Sequence, residues 1–201
     1  MERKTPLYQT HVDAGGKIVE FGGFLMPVQY PTGVLAEHMA VRQKAGLFDV
    51  SHMGELRLKG PDAVANVQKL ITADISAMQD GDIKYAMFCN DAGGIIDDFI
   101  VYRCVADDYW LVVNAGNRDK DAAWVESHLF GDVDYRDEGD DWGQVALQGP
   151  KSGDILKKLC AEQYIPAKYY TFIDNVPLDL GSRTIHALVS QTGYTGEYGF
   201  E

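Results

Sequence analysis

The 201-residue sequence has few cysteines, few basic residues and no long hydrophobic run. Its 30 acidic residues outnumber its 18 basic ones, giving a net charge of −12. Since no basic cluster offsets that balance, non-specific binding to nucleic acid or to an anionic membrane is not expected. The three cysteines, Cys89, Cys104 and Cys160, are widely spaced and show no zinc-ligand pattern. They indicate free thiols in a reducing compartment.

No apolar segment approaches the length needed to cross a membrane. The first residues, up to Pro6, are not followed by the apolar stretch of a signal peptide. We therefore expect a cytoplasmic protein with no membrane partner. At its other end the chain stops at Glu201, directly after Gly199 and Phe200, as if a strand were cut on entry. Since natural C-termini are usually polar and loose, we expect these residues to be part of a longer protein.

Strand patterns interleave with about five helical patterns and are joined mainly by hairpin turns. This order indicates an α+β fold with antiparallel sheets and flanking helices. The sequence has no βαβ rhythm and neither GxGxxG nor GxxxxGK[ST], which disfavours a nucleotide-binding doubly wound fold. Residues 132–141 are acidic and short of apolar side chains. They are interpreted as a solvated connector and a candidate domain boundary.

The stretch from Cys89 to Tyr102 predicts a hairpin with an unusual second strand. Residues 90–94 carry turn-forming Asn, Asp and Gly, and Lys84–Cys89 and Ile95–Val105 are the predicted arms. Asp97 and Asp98 interrupt an apolar run, and alternation places them on opposite faces. Whichever face meets the core, one aspartate points into the core or a cleft. It either caps the turn or lines a ligand cavity, and the residues alone do not choose between the two aspartates.

Residues 191–201 pack three glycines, two tyrosines and two glutamates into eleven positions. Glycine lets a backbone approach a ligand closely, so the segment is a candidate binding loop. A tight hairpin loop would have a similar composition, and that alternative stays open on this segment alone.

Four blocks together resemble the aminomethyltransferase family of the glycine cleavage system. They are Asp49–Glu55, Asn90–Asp98, Gln148–Pro150 and Thr192–Glu201, and the resemblance extends back to Thr5. It implies three domains around a central channel. Residues 1–54 with 139–201 would form an incomplete first domain, residues 55–138 the second, and the C-terminal β-rich domain would be absent.

The resemblance implies an enzyme that takes an aminomethyl group from the dihydrolipoyl arm of the H-protein. The one-carbon unit passes to tetrahydrofolate, giving 5,10-methylenetetrahydrofolate and free ammonia. The family's catalytic aspartate falls on Asp98. Positions expected to contact folate are Glu201, Tyr194, Tyr85, Asn114, Tyr169, Tyr102 and Met53. Family arginines that serve the folate tail would lie beyond Glu201, so a fragment ending there should bind folate weakly and not turn over.

These residue types suit the implied ligand. An ionised carboxylate such as Glu201 can accept both the ring N–H and the exocyclic NH₂ of a pterin. Tyrosine rings offer flat apolar walls to aromatic rings. Asp98 can orient a nitrogen nucleophile and stabilise positive charge near N5 and N10. We expect no metal, because the five histidines are scattered and fit structural roles: His11, His38, His52, His128 and His186.

Three alternatives remain beside this interpretation. A folate-binding module without transferase activity would typically carry a Lys-Gly-Cys motif or a fused partner domain, and the sequence has neither. An amine-oxidising enzyme with a related half would have a flavin-binding half first, which this chain lacks. A purely structural or interaction role leaves the tyrosines and glutamates of residues 191–201 unexplained.

Overall fold

The computed structural model describes residues 2–201, which form five α-helices and thirteen strands. The helices are α1 Tyr8–Asp13, α2 Val34–Gln43, α3 Ala63–Leu70, α4 Arg118–Ser127 and α5 Ser152–Leu156. The strands are β1 Arg3–Lys4, β2 Ile18–Phe21, β3 Phe24–Pro27, β4 Gly46–Asp49, β5 Gly54–Lys59, β6 Ile83–Cys89, β7 Ile95–Val105, β8 Asp108–Val113, β9 Asp134–Asp137, β10 Val145–Gln148, β11 Phe172–Asp179, β12 Thr184–Ser190 and β13 Gly199–Phe200. Short 3-10 turns cover Ala115–Asn117 and Glu162–Tyr164. The predicted α+β class is confirmed.

The chain divides into two compact units, and the second is inserted into the first. One unit contains the described residues up to Ser51 together with Gly143–Glu201, and the other contains His52–Trp142. The domain limits expected from the resemblance, at 54/55 and 138/139, differ from these by three and four residues and stay a prediction.

The inserted unit is built on a five-stranded antiparallel sheet in the order β6-β7-β8-β5-β9. Its core contains alternate side chains of these strands together with the apolar stripe of α3, including Leu56, Val67, Phe88, Phe99 and Leu111. The predicted hairpin is present as β6 and β7, with register pairs such as Tyr85 with Ile100. The alternation of β7 therefore decides which aspartate enters the core.

One prediction for this unit is wrong. Residues 132–141 are not only a connector, since β9 pairs antiparallel with β5 along Leu56–Lys59. Tyr135 is partly buried against the core while its neighbours Asp134 and Arg136 are charged. Charged residues on an edge strand discourage pairing with other chains. With a single apolar side chain in four residues, β9 gives almost no strand pattern in sequence.

The other unit contains three small sheets: β1-β3-β2, β13-β10-β4 and the β11-β12 hairpin. All pairings are antiparallel except β1 with β3. Buried Leu156, Val176, Val189 and Phe200 form a core that joins α5 to the hairpin and to β13. The glycine-rich residues 191–201 therefore end inside a packed element.

A buried histidine ties α1 to β4 in this unit. The two ring nitrogens of His11 lie 2.8 Å from Asp49 Oδ2 and 2.7 Å from the Tyr30 hydroxyl. Asp49 also accepts hydrogen bonds from the Thr5 hydroxyl and the Ser51 N–H. Burial alone would raise the pKa of Asp49, but these hydrogen bonds outweigh it and lower that pKa.

Within residues 2–201, no helix combines the length and apolar character required to span a bilayer.

Candidate functional site

Asp98 lies on the outward face of β7 and is held by a tyrosine. Its Oδ2 accepts a hydrogen bond of 2.7 Å from the hydroxyl of Tyr85 on the neighbouring strand β6. The two residues are diagonal neighbours on one face of the antiparallel pair, where long side chains can meet. Both side chains are exposed, with Tyr85 at 48%. Two of the predicted ligand-binding residues are thus brought together.

Asp97 lies on the opposite face and is only 4% exposed. Its Oδ2 accepts the main-chain N–H of Asn114 at 3.1 Å. Its Oδ1 accepts from Nδ2 of Asn114 at 3.1 Å and from Nδ2 of Asn117 at 2.6 Å. Between the two aspartates, Asp97 is the structural one and Asp98 is the one that faces outward.

Asn114, at the end of β8, bridges the two aspartates. Besides Asp97, its Nδ2 donates to the main-chain oxygen of Asp98 at 2.7 Å. Both amide hydrogens are therefore used on acceptors of β7, which fixes the orientation of the amide. Only Oδ1 of Asn114 is left to meet a ligand, so its predicted folate contact would be that of a hydrogen-bond acceptor.

A second acidic residue is buried beside Asp97. Asp121 on α4 is 0% exposed, and no donor among residues 2–201 reaches either of its carboxyl oxygens. Burial, with a hydrogen bond to Asp97 and the repulsion of its charge, raises the pKa of Asp121 to about 8. Burial would also raise the pKa of Asp97, but hydrogen bonds from Asp121, Asn114 and Asn117 outweigh it and lower that pKa. The pair therefore holds one proton on Asp121 at neutral pH.

Tyr102 and Met53 complete the predicted set in this unit. Tyr102 shares the outward face of β7 with Asp98 but is only 3% exposed, so little of its ring is open to solvent. Met53 is half-buried in the turn that precedes β5. Their contacts with folate stay predictions.

In the other unit, Glu201 follows β13 and is held by two kinds of hydrogen bond. Its main chain exchanges a pair of bonds with Ser190, at 2.8 and 3.0 Å. Its Oε2 accepts from the hydroxyl of Thr192. Burial raises the pKa of Glu201, and the Thr192 bond opposes that shift. The carboxyl group is therefore oriented and partly shielded from bulk water.

Gln148, at the end of β10, organises the glycine-rich segment. It is 0% exposed, and its Nε2 donates to the main-chain oxygens of Thr192 at 3.0 Å and Phe200 at 3.2 Å. The hydroxyl of Thr195 donates to its Oε1 at 2.9 Å. A Cβ atom at Gly193 or Gly199 would overlap this amide. Glycine is therefore required at positions 193 and 199 by the buried Gln148 side chain, whether or not a ligand binds there.

The predicted tyrosines of this unit are open. Tyr194 is fully exposed and Tyr169 is 56% exposed. The Tyr169 ring packs edge-on against Tyr170 with centroids 4.7 Å apart. Burial raises the pKa of Tyr170, and the nearby charge of Glu201 adds to the shift. Tyr170, which was not predicted from the sequence, therefore belongs to the surroundings of Glu201.

Sequence reasoning missed the supporting residues Asn117, Asp121, Gln148, Thr192 and Tyr170. Two of them, Gln148 and Thr192, lie inside segments that the sequence analysis singled out, but as polar residues they were given no buried role. Asp121 carries a weak signal, because its spacing from Arg118 and Val125 puts it on the buried side of α4.

The sequence of this chain matches a known protein family. The model of the GCVT N-terminal domain matches residues 7–201. Aminomethyltransferases from Desulfitobacterium hafniense and Bacillus licheniformis are 48% and 45% identical over 99% and 100% of this chain. The match covers 53% and 54% of those proteins. The chain therefore spans about half the length of the curated relatives it matches.

Solved structures give the same result. The glycine cleavage system aminomethyltransferase T from Bartonella henselae superposes with a TM-score of 0.85 at 33% identity, over all of this chain and 53% of that one. The heterotetrameric sarcosine oxidase from Corynebacterium sp. U-96 superposes with a TM-score of 0.58 at 16% identity, over 83% of this chain and 80% of that one. The second likeness is one of fold alone.

Proposed function

Because this chain belongs to the GCVT N-terminal domain family, we propose that it is the N-terminal part of an aminomethyltransferase of the glycine cleavage system. It would take the aminomethyl group carried on the dihydrolipoyl arm of the H-protein and transfer the one-carbon unit to tetrahydrofolate. The products would be 5,10-methylenetetrahydrofolate and ammonia. Tetrahydrofolate acts as a co-substrate in this proposal, and no metal takes part.

The observation that carries the proposal is the family match, which runs through residues 7–201 without leaving out either unit. The position of Asp98 supports the chemistry. Its carboxylate faces outward and is oriented by Tyr85, while the Asp97 carboxylate accepts hydrogen bonds inside the unit. An outward carboxylate with free acceptor positions suits nitrogen groups that carry protons or develop positive charge.

The binding roles follow the chemistry of a reduced pterin. Glu201, oriented by Thr192, would accept the ring N–H and the exocyclic NH₂. Asp98 would lie near N5 and N10 and stabilise positive charge as the methylene group transfers. Tyr85, Tyr169, Tyr194 and Tyr102 would supply aromatic walls, with Met53 and Asn114 at the edges. Holding two large substrates in register would supply much of the rate.

The test is a product assay on the complete protein that carries these residues. With aminomethylated H-protein and tetrahydrofolate together, we expect ammonia and methylenetetrahydrofolate to form in equal amounts. Omitting tetrahydrofolate should suppress ammonia release. The 201-residue chain assayed alone should show no turnover, since about half the length of its relatives is missing from it.

Two outcomes would contradict the proposal. Binding of tetrahydrofolate without ammonia release would favour the folate-binding module instead. Neither binding nor release by the complete protein would remove the folate assignment altogether. Free lipoamide bearing no aminomethyl group is the matched control, and it should give no ammonia.

A further inference from the structure

The buried polar cluster behind Asp98 contains more hydrogen bonds than the capping of a turn would require. Asp97 receives three hydrogen bonds, two from Asn114 and one from Asn117, while it is 4% exposed. These donors come from the end of β8 and from the 3-10 turn that follows it. The Asp97 carboxylate thus joins the beginning of β7 to the segment that leads into α4.

The cluster reaches the outward face through Asn114. The same Nδ2 that donates to Asp97 also donates to the main-chain oxygen of Asp98. Because both partners are acceptors, the amide cannot turn over without losing both bonds. The orientation of Asn114 and the local backbone of Asp98 are therefore set together by Asp97.

Asp121 supplies the remaining support. It is fully buried, and no donor among residues 2–201 reaches either of its carboxyl oxygens, so a hydrogen bond between it and Asp97 would require a proton on one of the two. Asn114 and Asn117 present only N–H groups to Asp97, which favour the charged form there. Burial without any donor favours the protonated form of Asp121, and its hydroxyl is then the group that can donate to Asp97.

We propose that Asp97 and Asp121 are positioning residues for the aminomethyl transfer: Asp97, supported by the buried Asp121, locks the Asn114 amide and thereby fixes the strand segment from which Asp98 faces the substrate. The inference rests on the proposed function for its kinetic consequence. It assigns no contact with substrate to either residue of the pair.

The kinetic test compares variants of the complete protein in the ammonia-release assay. Asp97→Asn turns an acceptor of three hydrogen bonds into an amide that opposes the Asn114 and Asn117 donors. We expect kcat to fall about 10- to 100-fold, the loss typical of small misplacement of reacting groups, while KM for tetrahydrofolate changes less than about threefold. Asp121→Ala should lower kcat similarly, and Asp121→Asn, which retains a donor, should restore most of it. Asp119→Asn, exposed on the same helix, is the matched control.

The pH profile gives a signature that a merely structural role would not produce. The titratable groups that face Asp121 are Asp97 on β7 and Lys120 on its own helix. As pH rises through about 8, Asp121 loses its proton, stops donating to Asp97 and repels it. The kcat of the wild type should therefore fall above that pH, and the Asp121→Asn variant should keep its rate there.

An unfolding measurement on the 201-residue chain tests the pair without activity. The pKa of Asp121 is raised in the folded state, so its contribution to stability is present below about pH 4 and is lost as pH rises towards about 8. Asp121→Asn should remove this decline. Burial also raises the pKa of Glu55 to about 8, despite the opposing charge of Arg118, but Glu55 is the same in both proteins and cancels in the comparison.

The outcomes separate the two claims. An active wild type whose kcat is unchanged by Asp97→Asn would overturn the positioning role. Parallel unfolding curves for wild type and Asp121→Asn from pH 4 to 8 would overturn the shared proton. An inactive wild type would count against the proposed function. The unfolding comparison would then test by itself whether Asp97 and Asp121 share a proton.

Discussion

Asp98→Ala is expected to lower kcat for ammonia release by about 100- to 10,000-fold, the range found when a positioned acid–base group is removed. The side chain faces outward from β7 and accepts the Tyr85 hydroxyl, so its loss leaves the core untouched. Tetrahydrofolate binding should weaken far less, because the proposed role of Asp98 lies in the transfer step rather than in holding the folate. Steady-state kinetics with a parallel measurement of Kd for tetrahydrofolate separates the two effects.

Two variants calibrate this result. Asp91→Ala changes an exposed aspartate in the turn of the same hairpin and should leave kcat unchanged. Tyr85→Phe removes only the hydrogen bond to Asp98 and should cost several-fold, in keeping with one lost hydrogen bond. If Asp98→Ala retained near-normal kcat while Asp97→Ala abolished it, the wrong aspartate would have been chosen.

Gly193→Ala should cause a large loss of stability in the unit that contains residues 191–201. Gly193 has φ of +155°, and an added Cβ would overlap the amide of Gln148. That amide cannot move aside cheaply, because it is buried and bonded to Thr192, Phe200 and Thr195. We expect the free energy of unfolding to fall by about 3 kcal/mol or more, as for other overpacked or disconnected buried sites.

Gly196→Ala is the matched control in the same segment. Gly196 also has a positive φ, +73°, but nothing lies within 4 Å of an added Cβ. Only the left-handed backbone penalty applies there, about 1–2 kcal/mol. Chemical denaturation of the 201-residue chain measures both variants. Equal losses at the two glycines would show that Gln148 does not constrain the segment.

The local pattern was enough to predict the central hairpin. Turn residues between two apolar runs predict β6 and β7, and strand alternation separates Asp97 from Asp98. What it could not supply is which aspartate points inward. That is decided by Asn114 and Asn117, which lie 17 and 20 residues further along the chain from Asp97 and reach it only after β8 has paired.

The remaining misses have a common physical origin. Strand β9 carries one apolar side chain in four residues and is held by its pairing with β5. Gln148 is fully buried, although glutamine is usually exposed and its residue type therefore predicts a surface position. In both places the structure depends on a main-chain or amide hydrogen bond to a distant segment. The periodicity of apolar residues does not predict such a bond.

The central proposal is that Asp98, and not Asp97, is the carboxylate that faces the reacting nitrogens of the folate. The most direct measurement is a crystal structure of the complete protein with tetrahydrofolate bound. We predict that the Asp98 carboxylate lies at a hydrogen-bond distance of about 3 Å from N5 or N10. A bound pterin whose N5 and N10 both lie out of reach of Asp98 would contradict this proposal.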